Sequence, residues 1–142
     1  MPRGWIYIAD FGIRQMAADP RAVVASVGLG QDTMEPESTL VQYIDKQKEM
    51  IVGQLKGAAI AGPQPVPFAG AEEAQLVFVR HAIESVGNVL HAQTYVRQGE
   101  WLGIVTLTAL EAEVRTVRPD YDAFVKGLYI SPPAATGPAG TV

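Results

Sequence analysis

Three strand-length segments follow one another in the middle of the chain, and their close spacing constrains the fold more than any other feature. Residues 74–83, 89–98 and 101–110 are rich in valine, isoleucine, threonine and aromatic side chains, which favour β-strands. The connections SVGN and QGE are too short for a crossover, so neighbouring strands must run antiparallel. These segments therefore predict an antiparallel meander.

Three other segments extend this sheet. Residues 22–29 are expected to form a fourth strand and residues 5–13 a fifth. Residues 60–68 carry proline at alternate positions, and proline cannot donate a hydrogen bond inside a sheet. That segment is expected to be an edge strand or an extended connection.

Two amphipathic helices complete the pattern. Residues 38–56 place apolar side chains on one stripe, begin at Ser38 or Glu37 as the cap, and stop at Gly57. A second helix is expected to open at Pro119, because proline is favoured at the first helical position. The order of elements predicts the α+β class, with an antiparallel β-sheet of about five or six strands and two helices packed on one face.

Length and charge narrow the classes of protein. The chain has 142 residues, and we expect one domain at residues 1–130 and a disordered, proline-rich tail at residues 131–142. A formal charge of −4 argues against nucleic-acid binding, which needs a basic surface. No segment has the pattern of a signal peptide or a membrane span, so we expect a cytoplasmic protein with no direct membrane insertion.

Residues suited to catalysis or metal binding are scarce. The chain has no cysteine, and its two histidines, His81 and His91, both fall inside expected strands. No nucleophile elbow accompanies them, and no second ligand pattern completes a metal site. The GLGQD run at residues 28–32 lacks the Lys-Ser/Thr pair of a phosphate loop and is expected to be a turn. We therefore expect no enzyme activity, no metal and no cofactor.

Two of the meander strands are apolar on both faces. In the first strand, Leu76 and Phe78 alternate with Val77 and Val79, and the third strand repeats this pattern. If both helices cover one face, the other face offers an apolar surface for dimerisation or for an apolar ligand. The alternative is that N-terminal strands or loops of the same chain cover it.

Two glutamines interrupt the apolar patterns. Gln47 lies on the apolar stripe of the first helix, and Gln93 lies in the central meander strand. A carboxamide offers two donors and an acceptor without a charge, which suits a partner such as a transmembrane helix with occasional polar atoms. The ordinary alternative is that Gln47 bonds to backbone and Gln93 faces water.

The chain resembles the DcrB-like family, which shares the α+β sandwich of the photosystem PsbP proteins and of a Ran-binding nuclear-import factor. The likeness covers about residues 22–130 and follows the order of four segments: STLVQYIDKQKEMIVGQL, AQLVFVRHAI, LHAQTYVRQGEWLGIVTLTAL and RPDYDAFVKGLYI. Within that family the chain is most similar to the effector-associated (Eag) chaperones of the bacterial type VI secretion system. This narrower likeness rests on the YIDKQ helix, the Q-x-Y-V strand and the V-T-L-T-A strand end.

The resemblance implies a non-enzymatic homodimer that holds the hydrophobic N-terminal helices of an effector protein in the cytoplasm before secretion. In those chaperones, one glutamine of the first helix and one of a central strand bond to polar atoms of the client. By position in YIDKQ and HAQTYV, these correspond to Gln47 and Gln93. Tyr95 and Trp101 join the expected client-binding set because aromatic side chains add large contact area, and the alternative for Trp101 is a position in the core. His91 joins it because it shares a strand face with Gln93.

Two other functions stay open. A small apolar-ligand carrier, or an enzyme of the same fold, would enclose a pocket with His91, Gln93 and Tyr95 at its mouth. A dimeric immunity or scaffold protein would use its apolar face only for self-association. A wide groove favours the chaperone, a closed pocket of a few hundred Å³ favours the carrier, and a flat occluded face favours the scaffold.

Overall fold

The structure, a computed structural model, describes residues 5–9, 12–15, 25–84 and 86–127. Its first elements are the strands β1 (Trp5–Ala9), β2 (Gly12–Gln15) and β3 (Ser26–Thr33), followed by the helix α1 (Leu40–Gln54). Next come the strands β4 (Ala59–Pro65), β5 (Glu73–Ile83), β6 (Gly87–Gln98) and β7 (Trp101–Leu110). A single 3-10 turn (Glu111–Glu113) leads into α2 (Val114–Gly127). The tail expected at residues 131–142 lies outside the described residues.

The seven strands form one antiparallel sheet in the order β1-β2-β3-β7-β6-β5-β4. The expected α+β class, with an antiparallel sheet and two helices, is confirmed, and so is the β5–β6–β7 meander. The sheet has seven strands rather than about five or six, because residues 5–9 and 12–15 form two paired strands instead of one. The proline-bearing strand β4 lies at one edge of the sheet, as predicted.

The two helices pack on opposite faces of the sheet, so the expectation that both lie on one face was wrong. The core on the α1 side contains Met34, Leu40, Ile44, Val77, Val79, Tyr95 and Leu102. The core on the α2 side contains Ala25, Val27, Leu76, Ala92, Val105, Leu107, Ala109, Val117 and Tyr121. Strand β5 is apolar on both faces because each face has its own helix to bury it. The large uncovered apolar face expected from the sequence is absent from the described part of the chain, where Leu76, Val77 and Leu107 are at most 5% exposed.

Helix α1 begins at a capping box centred on Thr39, rather than at Ser38 or Glu37. The Thr39 side chain accepts a hydrogen bond of 3.1 Å from the Gln42 backbone, and the Gln42 side chain accepts one of 2.9 Å from the Thr39 backbone. Just beyond the helix, Gly57 has a φ of 75°, a conformation that glycine adopts without strain. The helix itself ends at Gln54 with Leu55 as its C-cap, so it stops before the expected end at residue 56, and Gly57 lies in the turn that follows.

Helix α2 begins at Val114, earlier than the expected start at Pro119, which lies inside the helix. Proline lacks the N–H that an interior helical position needs, so local preference alone would start the helix there. Packing overrides it, since Val117 and Tyr121 are 1% and 5% exposed in the α2-side core. Within the described ranges, no helix combines the length and apolar character needed to cross a membrane.

The GLGQD run belongs to strand β3 and is not a turn. From Ser26 to Thr33, β3 pairs residue by residue with the central strand β7. Glycine is disfavoured in strands, but this pairing outweighs the local preference. The strand begins at Ser26 and ends at Thr33, later than the expected residues 22–29.

Candidate functional site

Beyond Leu102, which is buried against α1, the central strand β7 is well covered on one face only. On the α2 side every second residue is buried, at 5% exposure or less: Val105, Leu107 and Ala109. On the α1 side the intervening residues are only half-buried: Ile104, Thr106 and Thr108. Helix α1 contacts β4, β5 and β6 and leaves the neighbouring part of the same face accessible.

Neighbouring strands extend this half-covered surface. Thr106 pairs with Gly28 of β3 on one side and with Gln93 of β6 on the other, so the three share a face. In the same register, Thr108 pairs with Ser26 and His91, and Ile104 pairs with Gly30 and Tyr95. We call the surface made by these side chains the open strip: Ser26, Gly28, Gly30, His91, Gln93, Ile104, Thr106 and Thr108.

Two glycines leave the β3 side of the open strip nearly bare. Among the described residues, no heavy atom lies within 4 Å of a Cβ built on Gly28 or Gly30. Neither glycine has a positive φ, so neither is required by backbone conformation. The strip therefore has room for another molecule directly above β3.

Gln93 presents hydrogen-bond donors to the open strip. Its Oε1 accepts a bond of 2.7 Å from the Tyr95 hydroxyl. Its amide nitrogen makes no hydrogen bond with a described residue, although the side chain is half-buried. An unsatisfied donor in a half-buried position favours a polar partner. Gln93 can thus bond to a carbonyl or hydroxyl oxygen placed on the strip.

A histidine pair closes one end of the open strip. His91 Nε2 lies 3.0 Å from His81 Nε2, and His91 Nδ1 lies 2.9 Å from the Thr108 hydroxyl. The two imidazole rings are stacked, with centroids 5.1 Å apart. Among the described residues, no three histidine or acidic side chains are grouped so as to hold a metal ion.

One side of α1 borders the open strip. The Tyr43 hydroxyl donates a bond of 2.6 Å to Asp32 of β3, which places this side of the helix towards the strip. Gln47 follows one turn later, and its amide contacts the Met50 sulfur at 3.9 Å. Lys48 bonds to a carbonyl of β4 and marks the opposite side of the helix. Gln47 and the 53% exposed Met50 therefore line the border of the strip.

Apart from Ile104 and the two glycines, the side chains of the open strip are polar, and none of them is charged at pH 7. Burial, together with the neighbouring His81, lowers the pKa of His91, which keeps this imidazole neutral at pH 7. Burial raises the pKa of Tyr95 to about 12, so its hydroxyl keeps its proton. At the far end, the hydrogen bond from Tyr43 lowers the pKa of Asp32, so this carboxylate stays ionised and already has a partner.

The structure brings four of the five expected client-binding residues to one face. Gln93 and His91 lie on the open strip, and Gln47 lies on its border. Tyr95 is 2% exposed and acts there only through its hydroxyl. Trp101 lies on the α2 side, where its indole nitrogen donates a bond of 3.0 Å to Gln31.

The sequence reading missed the threonines and glycines of the open strip. Thr106 and Thr108 alternate with buried residues in β7, and Gly28 and Gly30 alternate in β3. A period of two in both segments was the available signal, since alternate residues share a strand face. Local preference instead assigns the glycine run to a turn, which hides the period of two in β3.

No known protein family matches the sequence, and a search of curated proteins finds no significant match. Three solved structures share the fold. PA94 of Pseudomonas aeruginosa, a protein of unknown function, aligns with a TM-score of 0.72 and 21% identity over 93% of this chain and 90% of that one. LpqN of Mycobacterium tuberculosis, involved in cell envelope biogenesis, gives 0.68 and 18%, over 92% and 80%. The PsbP protein of Synechocystis sp. PCC 6803 (CyanoP) gives 0.57 and 15%, over 91% and 84%.

These identities show a shared fold and nothing narrower. The chain has the PsbP-like, DcrB-like α+β fold that the sequence resemblance implied. The likeness to type VI secretion chaperones rests on the sequence patterns alone.

Proposed function

We propose that this protein is a non-enzymatic chaperone or adaptor that binds an apolar helix of another protein along the open strip. The observation that carries the proposal is the half-covered central strand. On its α1 side this strand presents threonine, beside the glutamine and glycine of its neighbours, where a strand buried on both faces would present apolar side chains. A partner bound along the open strip would cover the exposed face of β7.

The dimensions of the open strip suit one helix. From β6 across β7 to β3 it spans two strand spacings, about 10 Å, which is close to the diameter of an α-helix. From Thr108 to Ile104 it runs four residue steps, about 13 Å, or between two and three helical turns. A helix centred there would lie about 10 Å from α1, which is the usual distance between packed helices.

The chemistry of the open strip suits an apolar helix that carries small or hydroxylated residues. Transmembrane helices associate through small residues and through hydrogen bonds between uncharged side chains. The free amide donors of Gln93, the hydroxyl of Thr106 and the amide of Gln47 are groups of this kind. The bare backbone at Gly28 and Gly30 permits close approach.

The sequence resemblance supplies the class of client. We propose that the helix belongs to the hydrophobic N-terminal segment of a secreted effector, held in the cytoplasm before type VI secretion. We further propose that the working unit is a homodimer, as in the secretion chaperones that the sequence resembles. Sedimentation of the purified chain would detect the dimer, and a monomer at micromolar concentration would reject that part.

Blocking the open strip tests the proposal. The probe is a lysine-flanked helical peptide of about 20 leucine and alanine residues with a central serine, and binding is followed by fluorescence anisotropy. Gly28→Phe places a large side chain on the strip, at a position where a Cβ meets no described atom within 4 Å, and should weaken peptide binding about tenfold or more. The matched control is Gly53→Phe, on the exposed side of α1, which also has open surroundings and should bind normally. Equal binding by both variants would overturn the proposal.

The two glutamines give a second, chemical test. Gln47→Ala combined with Gln93→Ala should leave the fold intact and weaken binding of the serine-bearing peptide by about 1–3 kcal/mol. The control variant is Gln64→Ala, at an exposed position of the edge strand β4. An all-leucine peptide should bind the wild type and the double variant with more similar affinity. A double variant that binds the serine peptide as the wild type does would reject these roles.

A further inference from the structure

A cleft with a volume of about 720 Å³ lies on the opposite, α2 side of the sheet. Its floor is formed by β5 and β6, and its two walls are α2 and the segment that follows β4. The floor residues are Leu76, Phe78, Ala92 and Thr94. This volume is within the range of small-molecule sites.

The interior of the cleft is apolar. Phe68, Phe78 and Val125 pack against the α2-side core but are only partly buried, so they expose apolar surface to the cleft. The floor hydroxyls are already satisfied, since Thr94 and Tyr121 bond to each other at 3.0 Å. The inner end therefore offers contacts to a hydrocarbon group, and its two hydroxyls already have hydrogen-bond partners.

The charged residues that line the cleft are Arg118, Lys126 and Asp122, so the lining is net positive, although the chain as a whole has a formal charge of −4. The Arg118 guanidinium lies 6.0 Å from the centre of the Phe78 ring, directly over the apolar floor. Asp122 bonds to Arg118 Nε at 3.0 Å, and the terminal N–H groups of Arg118 make no hydrogen bond with a described residue, so they can bond to a further anion.

We infer that this cleft binds an anionic amphiphile, a molecule with one hydrocarbon chain and a carboxylate or phosphate head. The chain lies between Phe68 and Phe78, and the head bonds to Arg118 with Lys126 nearby. This site is independent of the proposed function, because the open strip lies on the other face of the sheet. Neither site shares a residue with the other.

Calorimetric titration of the full chain with matched twelve-carbon ligands tests the inference. Dodecanoate and dodecyl phosphate, kept below their micelle concentrations, are the anionic probes, and dodecanol and dodecyltrimethylammonium are the neutral and cationic probes. Both anions should bind saturably, and the cation about tenfold more weakly or not at all. Equal affinity for all four ligands, or no saturable binding of the anions, would overturn the inference.

Two pairs of variants place the ligand. Ala123→Trp fills the cleft from an exposed position and should abolish dodecanoate binding, while Ala112→Trp, exposed and outside the cleft, should not. Arg118→Gln should weaken dodecanoate about tenfold and leave dodecanol unchanged, with Arg115→Gln on the same helix as the control. Binding that survives Ala123→Trp would overturn the inference.

Gly28→Phe separates this inference from the proposed function. Dodecanoate binding should be unchanged in that variant, because the substitution blocks only the open strip. Loss of dodecanoate binding in Gly28→Phe would mean that the ligand uses the strip and would overturn the inference. Failure of the helical peptide to bind would leave the dodecanoate result, and therefore this inference, unaffected.

Discussion

The Tyr95 hydroxyl donates a hydrogen bond of 2.7 Å to the side-chain oxygen of Gln93, two residues earlier on the same face of β6. The Tyr95 ring is 2% exposed, and the edge of the Tyr43 ring packs against it with centroids 6.2 Å apart. The α1-side core thus fixes the hydroxyl, and the hydroxyl fixes the acceptor of Gln93. The amide donors of Gln93 are oriented by a residue that is itself inaccessible to a client.

Removing that hydroxyl should weaken client binding without disturbing the core. Tyr95→Phe keeps the ring volume, so we expect a loss of stability of about 0.5–1.5 kcal/mol, the value of one hydrogen bond. Peptide affinity should fall as well, because the Gln93 amide is then free to rotate. Urea unfolding and peptide anisotropy measure the two effects.

Tyr43→Phe is the matched control for this prediction. It removes a hydroxyl that bonds to the exposed Asp32, whereas the described residue that bonds to the Gln93 side-chain oxygen is Tyr95. We expect peptide affinity to change less in this variant than in Tyr95→Phe. If Tyr95→Phe binds the peptide as tightly as the wild type while Gln93→Ala does not, Tyr95 has no positioning role.

Most of the fold could be predicted from local sequence, because its elements are encoded locally. Short turns define the meander, alternate prolines place β4 at an edge, and the glycine at residue 57 follows α1. The side of the sheet that each helix covers could not be read in this way. Periodicity gives the width of an apolar stripe but not the face on which it packs. The available signal was that β5 is apolar on both faces. This pattern indicates that each face is covered by a helix, not that one face is exposed.

The candidate site was predicted in part. Gln93 and Gln47 stand out because each is polar within an apolar pattern, and the period of a strand places Tyr95 and His91 beside Gln93. Gly28 was missed because local preference assigns glycine to turns, whereas its strand conformation depends on pairing with residues about 80 positions later. Long-range pairing of this kind leaves little trace in local sequence.

The stability of the protein should depend on the titration of His91. Its pKa is lowered below the ordinary value of 6.5, first by burial and then by the neighbouring His81. As the pH falls below 6.5, the unfolded chain takes up a proton at this position that the folded chain resists. The free energy of unfolding should therefore fall with decreasing pH. Well above pH 6.5 His91 is neutral in both the folded and the unfolded chain, so there it should cause no loss of stability.

Urea unfolding of the wild type and of His91→Gln, from about pH 8 to about pH 5, checks this. Glutamine stays neutral and can still bond to the Thr108 hydroxyl, so the variant should lose less stability over this range than the wild type does. Parallel pH dependence in the two proteins would show that His91 does not contribute to it.

Trp101 has a structural partner, which makes its role testable apart from client binding. Its indole folds over Gly103 of the same strand, and a Cβ built on Gly103 would lie 2.5 Å from the ring. The bond from the indole nitrogen to Gln31 holds the ring there. Gly103→Ala should therefore cost about 1–3 kcal/mol of stability, as overpacking usually does. In the Trp101→Ala background, where the ring is gone, the same glycine substitution should cost much less, a coupling that a double-mutant cycle in urea measures directly. Additive losses would mean that the ring moves away freely.

Peptide binding gives a separate test of Trp101. Because Trp101 lies on the α2 side, Trp101→Ala should leave peptide binding at the open strip unchanged. A loss of affinity in this variant would show that Trp101 does contribute to client binding.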